Sequence, residues 1–176
     1  NLDGWMLGDA INPSIFSQAS ADADVSIIEG MMGLFDGSSA LNDRGSTAEM
    51  AKQLHAPVLL VIDGSAMARS AAAMAAGYAQ FDPTLRVKAV LFNRVRSEGH
   101  YRLLQEAVES ATGLAVVGYL RPDAAVTIAD RHLGLRTAIE AGSCEVYDRL
   151  AQSAAETIDL DRVEALARSA GGSFEE

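Results

Sequence analysis

Three short, nearly continuous apolar runs, Val58–Ile62, Val87–Phe92 and Ala115–Leu120, are separated from one another by stretches with helical patterning. Runs of this length, bounded by turn residues and without strict polar alternation, belong to strands buried on both faces. Strands alternating with helices at these lengths restrict the chain to an α/β fold: a mainly parallel sheet, helices on both faces, right-handed crossovers. In such sheets ligands bind beyond the carboxyl ends of the strands.

The remaining punctuation fills in the order of elements. Pro13 to about Ala21 reads as a short helix, Val25–Ile28 as a further strand, and the glycine-rich stretch to Gly45 as a long functional loop. Ser46-Thr47-Ala48-Glu49 has capping-box spacing, so a helix should start there and run to about His55 before Pro57. Asp63-Gly64-Ser65 closes the next strand, and Ser65 or its neighbour caps an alanine-rich helix reaching about Gln80. Ser97 opens a helix with Tyr101, Leu104 and Val108 on one face, and Gly113 stops it. Helical patterning resumes from about Thr137, and Asp159 or Asp161 starts a last helix with Val163, Leu166 and Ala167 inward. Residues 1–170 read as one domain and 171–176 as the start of a linker.

Chemistry concentrates at residues 29–37, Glu-Gly-Met-Met-Gly-Leu-Phe-Asp-Gly, directly after the apolar run ending at Ile28. Glu29 would stand at the carboxyl end of its strand, and Asp36 would return a second carboxylate to the same rim. Gly30, Gly33 and Gly37 would let backbone approach a ligand closely. By spacing alone, a glutamate here serves equally as a turn residue or helix cap and as a ligand. The strand-end rule gathers Glu29, Asp63, Asn93 and the turn after Leu120 on one rim.

The words of that loop closely resemble the E-G-V-M-G-L-[YF]-D-G signature of the cobyrinic acid a,c-diamide synthases, glutamine-dependent amidating enzymes of corrinoid (cobalamin) biosynthesis. Asn1-Leu2-Asp3-Gly4-Trp5-Met6-Leu7-Gly8 resembles the family's N-L-D-P-W-M-L-G, with Gly4 in place of proline. Further ordered matches are Ser46–Ala51, Ala56–Asp63, Phe92-Asn93-Arg94-Val95 and Arg131-His132-Leu133-Gly134-Leu135. Arg121-Pro122 departs from the family, which has proline before arginine there.

The resemblance implies a P-loop NTPase fold of the dethiobiotin synthetase type, present here incompletely. It implies an ATP- and Mg2+-dependent ligase: a peripheral carboxylate of cobyrinic or hydrogenobyrinic acid is phosphorylated, and glutamine-derived ammonia displaces the phosphate. Glu29 would bind the metal, Asp36 would be the catalytic aspartate, and Asn93 would read the adenine edge. Asp3, Trp5, Arg44, Arg131 and His132 would meet the corrinoid polycarboxylate. The chain lacks a G-x-x-x-x-G-K-[ST] loop, its lysines being Lys52 and Lys88 alone, and Cys144 has no glutaminase surroundings. The expectation is therefore the middle of a larger synthase, inactive alone, with phosphate-loop and glutaminase segments elsewhere and a homodimer as one way to cover a bare sheet edge; failing that, residues 1–12 and 36–45 should be disordered. Two alternatives keep the same sheet: a non-catalytic binding module, and another dethiobiotin synthetase-like enzyme such as cobyric acid synthase.

Charge limits the partners. A formal net charge of -10 disfavours nucleic acid and anionic membrane, and no apolar run reaches the roughly 20 residues of a membrane span. One cysteine and no signal-peptide pattern make cytoplasm the expected location. ATP and the corrinoid are anions, so an acidic chain must concentrate its cations locally. Twelve of the 14 basic residues are arginines, suited to bidentate carboxylate and phosphate contacts. Arg44, Arg94, Arg96 and Arg131 are the candidates by position.

Overall fold

A computed structural model of the chain describes residues 2–8, 10–126 and 144–170. Its centre is a three-stranded parallel sheet, β1 (Val58–Asp63), β2 (Val87–Asn93) and β3 (Ala115–Tyr119), in that spatial order. The three apolar runs thus become neighbouring strands, as their sequence pattern predicts. Around them lie α1 (Ile11–Ser20), α2 (Thr47–Gln53), α3 (Ser70–Phe81), α4 (Glu98–Thr112), α5 (Cys144–Thr157) and α6 (Leu160–Arg168).

Helices α3 and α4 pack on each other over one sheet face, where Leu60, Ile62, Val90, Phe92 and Val116 meet Ala71, Ala72, Ala75, Leu104 and Val108. The alanines let α3 lie close to the strands, while Phe92 and Leu104, both fully buried, supply the bulk. Each large side chain buried in this way contributes roughly 1.5–3 kcal/mol. On the opposite face Val61 stays 58% exposed among the described residues.

Local signals explain several helix boundaries. Ser97 Oγ accepts from His100 N at 3.3 Å, and Gly113 ends α4 in the left-handed region at φ 70°. Asp159 caps α6 by accepting from Arg162 N, and its own N–H donates to Val117 O at 2.7 Å. With an antiparallel bridge between Gly118 and Ile158, this segment closes the outer side of β3. Ser46 accepts from Glu49 N at 3.1 Å as expected. Glu49 reaches back one residue further than the capping-box pattern implies, accepting from Gly45 N at 2.7 Å, while Ser46 N donates to Asp43 O.

Three expectations change. Residues Val25–Ile28 form no strand and join no ladder, and Ile27 is 90% exposed. Their β-branched side chains favour the extended backbone, yet a strand also needs a neighbour, and no described strand pairs with them. The alanine-rich helix starts at Ser70 instead of near Ser65, because Asp63 Oδ1 accepts from Ser65 N and holds a turn there. Gly64 is tucked under Val95 and Leu104, so the chain must turn before it can coil. Residues 36–45, disordered in one of the two alternatives expected for a bare sheet edge, form a closed loop in which Ser38 N donates to Arg44 O at 2.8 Å.

Lys52 ties this loop to the sheet layer, pairing with Asp43 and, at 2.7 Å, with Asp82 after α3. Hydrogen bonds from Lys52 and then Thr84 hold the Asp82 carboxyl at about 2, below its ordinary 3.8. A carboxyl depressed by folding stabilises the native state above its unfolded pKa and ceases to do so as pH falls through the folded one. Lys52→Met should therefore lower stability by about 1–2 kcal/mol at neutral pH, between the values for exposed and buried pairs. Urea unfolding at pH 7 and again near pH 2 should show the gap between the two proteins closing in acid.

Candidate functional site

The glycine-rich loop is anchored by its apolar residues and leaves its carboxylates outside. Leu34 is buried and its carbonyl accepts from Ala48 N at 2.9 Å, while Phe35 packs on Tyr78 and Phe81 with ring centroids 6.0 and 4.7 Å away. Between them and the solvent, Asp36 N donates to Gly33 O at 2.9 Å, closing a turn so tight that a Cβ on Gly33 would strike the Asp36 carboxylate. Gly37 passes against Arg44 O and Ser46 N with equally little room. Asp36, Glu29 and Arg44 are exposed.

Three segments far apart in sequence meet at the start of α2. Gly30 lies against Thr47, Gly4 against the Glu49 carboxylate, and Gly45, at φ 79°, beside Trp5. Asp3 shapes the first segment: its Oδ1 accepts from Trp5 N and Met6 N, both at 2.8 Å. Asn12, fully buried, holds it from below, accepting from Asp3 N and donating to Asp3 O. Trp5 is 70% exposed, so it is a surface side chain and not a core one. The structure thus brings Asp3, Trp5, Asp36 and Arg44 into one neighbourhood, with Glu29 leading into it.

Between residues 33–36 and α3 runs an open groove of about 370 Å³, lined by Phe35, Met74, Tyr78 and Phe81 with Asp36 at its lip. Sequence reasoning missed this wall. Tyr78 and Phe81, three residues apart on an otherwise alanine-rich helix, were the signal available for it.

A second cluster occupies the carboxyl rim of the sheet. Asp63 and Asn93 are register partners at the tips of β1 and β2, and Val95 N donates to Leu120 O beside β3. Arg94 Nη1 reaches Asp63 Oδ2 at 2.9 Å, and Asn93 Oδ1 accepts from Arg94 N at 2.8 Å. Hydrogen bonds from Ser65, with the Arg94 guanidinium beside them, hold the Asp63 carboxyl below its usual range. Arg94 adopts φ 61°, a left-handed conformation costing a non-glycine residue about 1–2 kcal/mol. Next to it, Arg121 lies over the Tyr119 ring, 5.8 Å from its centroid, and donates to its hydroxyl.

The rim therefore holds Asp63, Asn93 and Leu120, as expected. With residues 25–28 outside the ladder, Glu29 is not a strand tip. The loop after it docks on α2 and on the later turns of α3, which lead away from the rim toward the start of β2. Arg131 and His132 lie outside the described residues. Among the described residues no group of three or more His, Cys, Asp or Glu could hold a metal ion, and no helix is long and apolar enough to cross a membrane. A lone exposed carboxylate such as Glu29 does fit Mg2+, which takes one or two protein carboxylates and completes its shell with water and phosphate oxygens.

Comparison with known proteins adds to this geometry. A family model described as an AAA domain matches residues 6–129. Cobyrinate a,c-diamide synthase of Priestia megaterium is 46% identical over 168 residues, covering 95% of this chain and 36% of the relative. The enzymes so named from Dehalococcoides mccartyi (strain CBDB1) and Salmonella typhimurium (strain LT2) are 40% and 42% identical, over 97% and 92% of the chain. The chain thus spans about a third of the length of these relatives, 35–37%. No solved structure gives a significant match.

Proposed function

The chain belongs to the AAA domain family, and from that premise we propose that it is part of the ATP-dependent half of a cobyrinate a,c-diamide synthase. One observation carries the reading. The N-L-D-G-W segment, the E-G-M-M-G-L-F-D-G loop and the S-T-A-E-M helix start, each similar to the synthase pattern, converge at the amino end of α2.

The proposed reaction amidates the a and c carboxylates of cobyrinic or hydrogenobyrinic acid. A free carboxylate is a poor acyl donor, so ATP first converts it to an acyl phosphate, and ammonia released from glutamine by a separate segment displaces the phosphate. Asn93 contacts the adenine edge at the rim. Glu29 would hold Mg2+ directly or through water, and Asp36 would orient the substrate or the ion at the groove lip. Mg2+ would supply charge neutralisation along the phosphates, the main requirement of phosphoryl transfer. Asp3 sets the turn that presents Trp5 to the flat macrocycle, and Arg44, with Arg131 and His132, grips its carboxylates. A cytoplasmic setting and a homodimer belong to the same reading.

The test is a chimera in which residues 1–176 replace the matching third of the Priestia megaterium relative. Glutamine-dependent amidation of both acids should stay within about tenfold of the parent enzyme, or roughly 1.4 kcal/mol of barrier. A folded chimera without amidation overturns the proposal.

A further inference from the structure

We infer that Arg94 and Asp63 are positioning residues that fix which end of the Asn93 amide faces the nucleotide base. The inference rests on the reading of Asn93 as the base contact. An N–H can only meet an acceptor, so the bond from Arg94 N to Asn93 Oδ1 at 2.8 Å turns the oxygen end of the amide back to its own chain. The NH2 end is left to face the rim, where it can donate to an acceptor ring nitrogen of a purine. Adenine offers such a nitrogen on its pairing edge, whereas guanine carries N–H there.

The residue that supplies this N–H holds a backbone that arginine does not take readily. Glycine would adopt φ 61° without strain, yet the position carries a side chain whose guanidinium reaches across to the neighbouring strand tip. The pair is exposed, Arg94 by 64% and Asp63 by 47%, so it adds little to stability. Asp63 is itself fixed, because its other oxygen accepts from Ser65 N at 3.0 Å. A continuous path therefore runs from the Ser65 turn through Asp63 and the Arg94 guanidinium to the Arg94 N–H and the Asn93 amide. A device strained in backbone and weak in stabilisation is accounted for by the orientation it imposes.

The experiment measures ATP and GTP affinity of the full-length chimera by competition with a fluorescent ATP analogue, alongside its melting temperature. Arg94→Gly and Asp63→Asn should each weaken ATP binding roughly 5–10-fold, as expected for one misaligned hydrogen bond, and narrow the preference over GTP. Melting should stay unchanged, or rise for Arg94→Gly as the strain is relieved, and Arg94→Lys should restore part of the affinity. If Asn93→Ala weakens ATP binding while Arg94→Gly and Asp63→Asn do not, the positioning role is wrong and the base contact stands. Unchanged ATP binding in Asn93→Ala removes the base contact and the positioning role together. A loss of affinity that tracks a loss of melting temperature in every variant reduces the pair to packing and overturns the inference.

Discussion

In the chimeric synthase, Asp36→Asn is expected to cut glutamine-dependent amidation at least about 100-fold, the usual scale for losing a charged group aimed at the reacting centre. The fold should not notice the change. Asp36 is exposed, and the turn that ends at it is held by its backbone N–H on Gly33 O and by the buried Leu34 and packed Phe35 just before it. Asparagine keeps the shape and removes only the charge. Glu29→Gln should lower activity comparably, but with a signature of its own: as the proposed Mg2+ ligand, its loss should raise the Mg2+ concentration needed for half-maximal rate. The double variant should be little worse than either single one, because groups acting on one transition state are not additive. Rates within a few-fold of the parent in both single variants would remove the glycine-rich loop from the chemistry altogether.

The largest stability effect is expected at Gly118 in β3. Its φ of 140° is one that side chains rarely adopt, and a Cβ there would meet Thr157 O and lie 2.6 Å from Ile158 Cα. Both obstacles are backbone, so no rotamer change relieves them. Gly118→Ala should cost about 3 kcal/mol or more, the sum of a strained backbone and a forced separation of packed segments. For a chain of this size that corresponds to a melting temperature lower by roughly 6–12 °C. Gly113→Ala is the control: it also has positive φ, at 70°, but open space around the added carbon. Its cost should stay near 1 kcal/mol, the price of the left-handed conformation alone. Hydrogen exchange at Asp159 N, which donates to Val117 O, should accelerate in Gly118→Ala and not in Gly113→Ala. Equal losses in the two variants would mean that the contact with residues 157–158 contributes nothing.

What could be read from the sequence followed from how local the governing physics is. The three sheet strands, the Ser46, Ser97 and Asp159 caps and the Gly113 stop depend on a few adjacent residues, and the structure repeats them. Residues 25–28 have the same local chemistry as a strand but no partner strand among the described residues, and pairing is not encoded in the segment that is to be paired. The candidate site divides along the same line. That Glu29 and Asp36 belong to one loop was legible from their spacing and the family pattern. That Phe35 would seat this loop on Tyr78 and Phe81, on α3 turns that lead away from Asp63 and Asn93, required tertiary packing. Arg94 was a candidate cation by position, but its grip on Asp63 and its positive φ appear only when the strand tips stand side by side.

The bridge from Gly118 to Ile158 leaves the three strands with one bare flank among the described residues, that of β1. A ladder with a single free flank can join a copy of itself through a two-fold axis, and growth then stops at a pair. Removing residues 144–170 would bare the second flank, and copies could then add on both sides without limit, the geometry of a fibre. The short clasp at 157–159 thereby covers a flank of β3 otherwise open to strand addition, besides supporting α6.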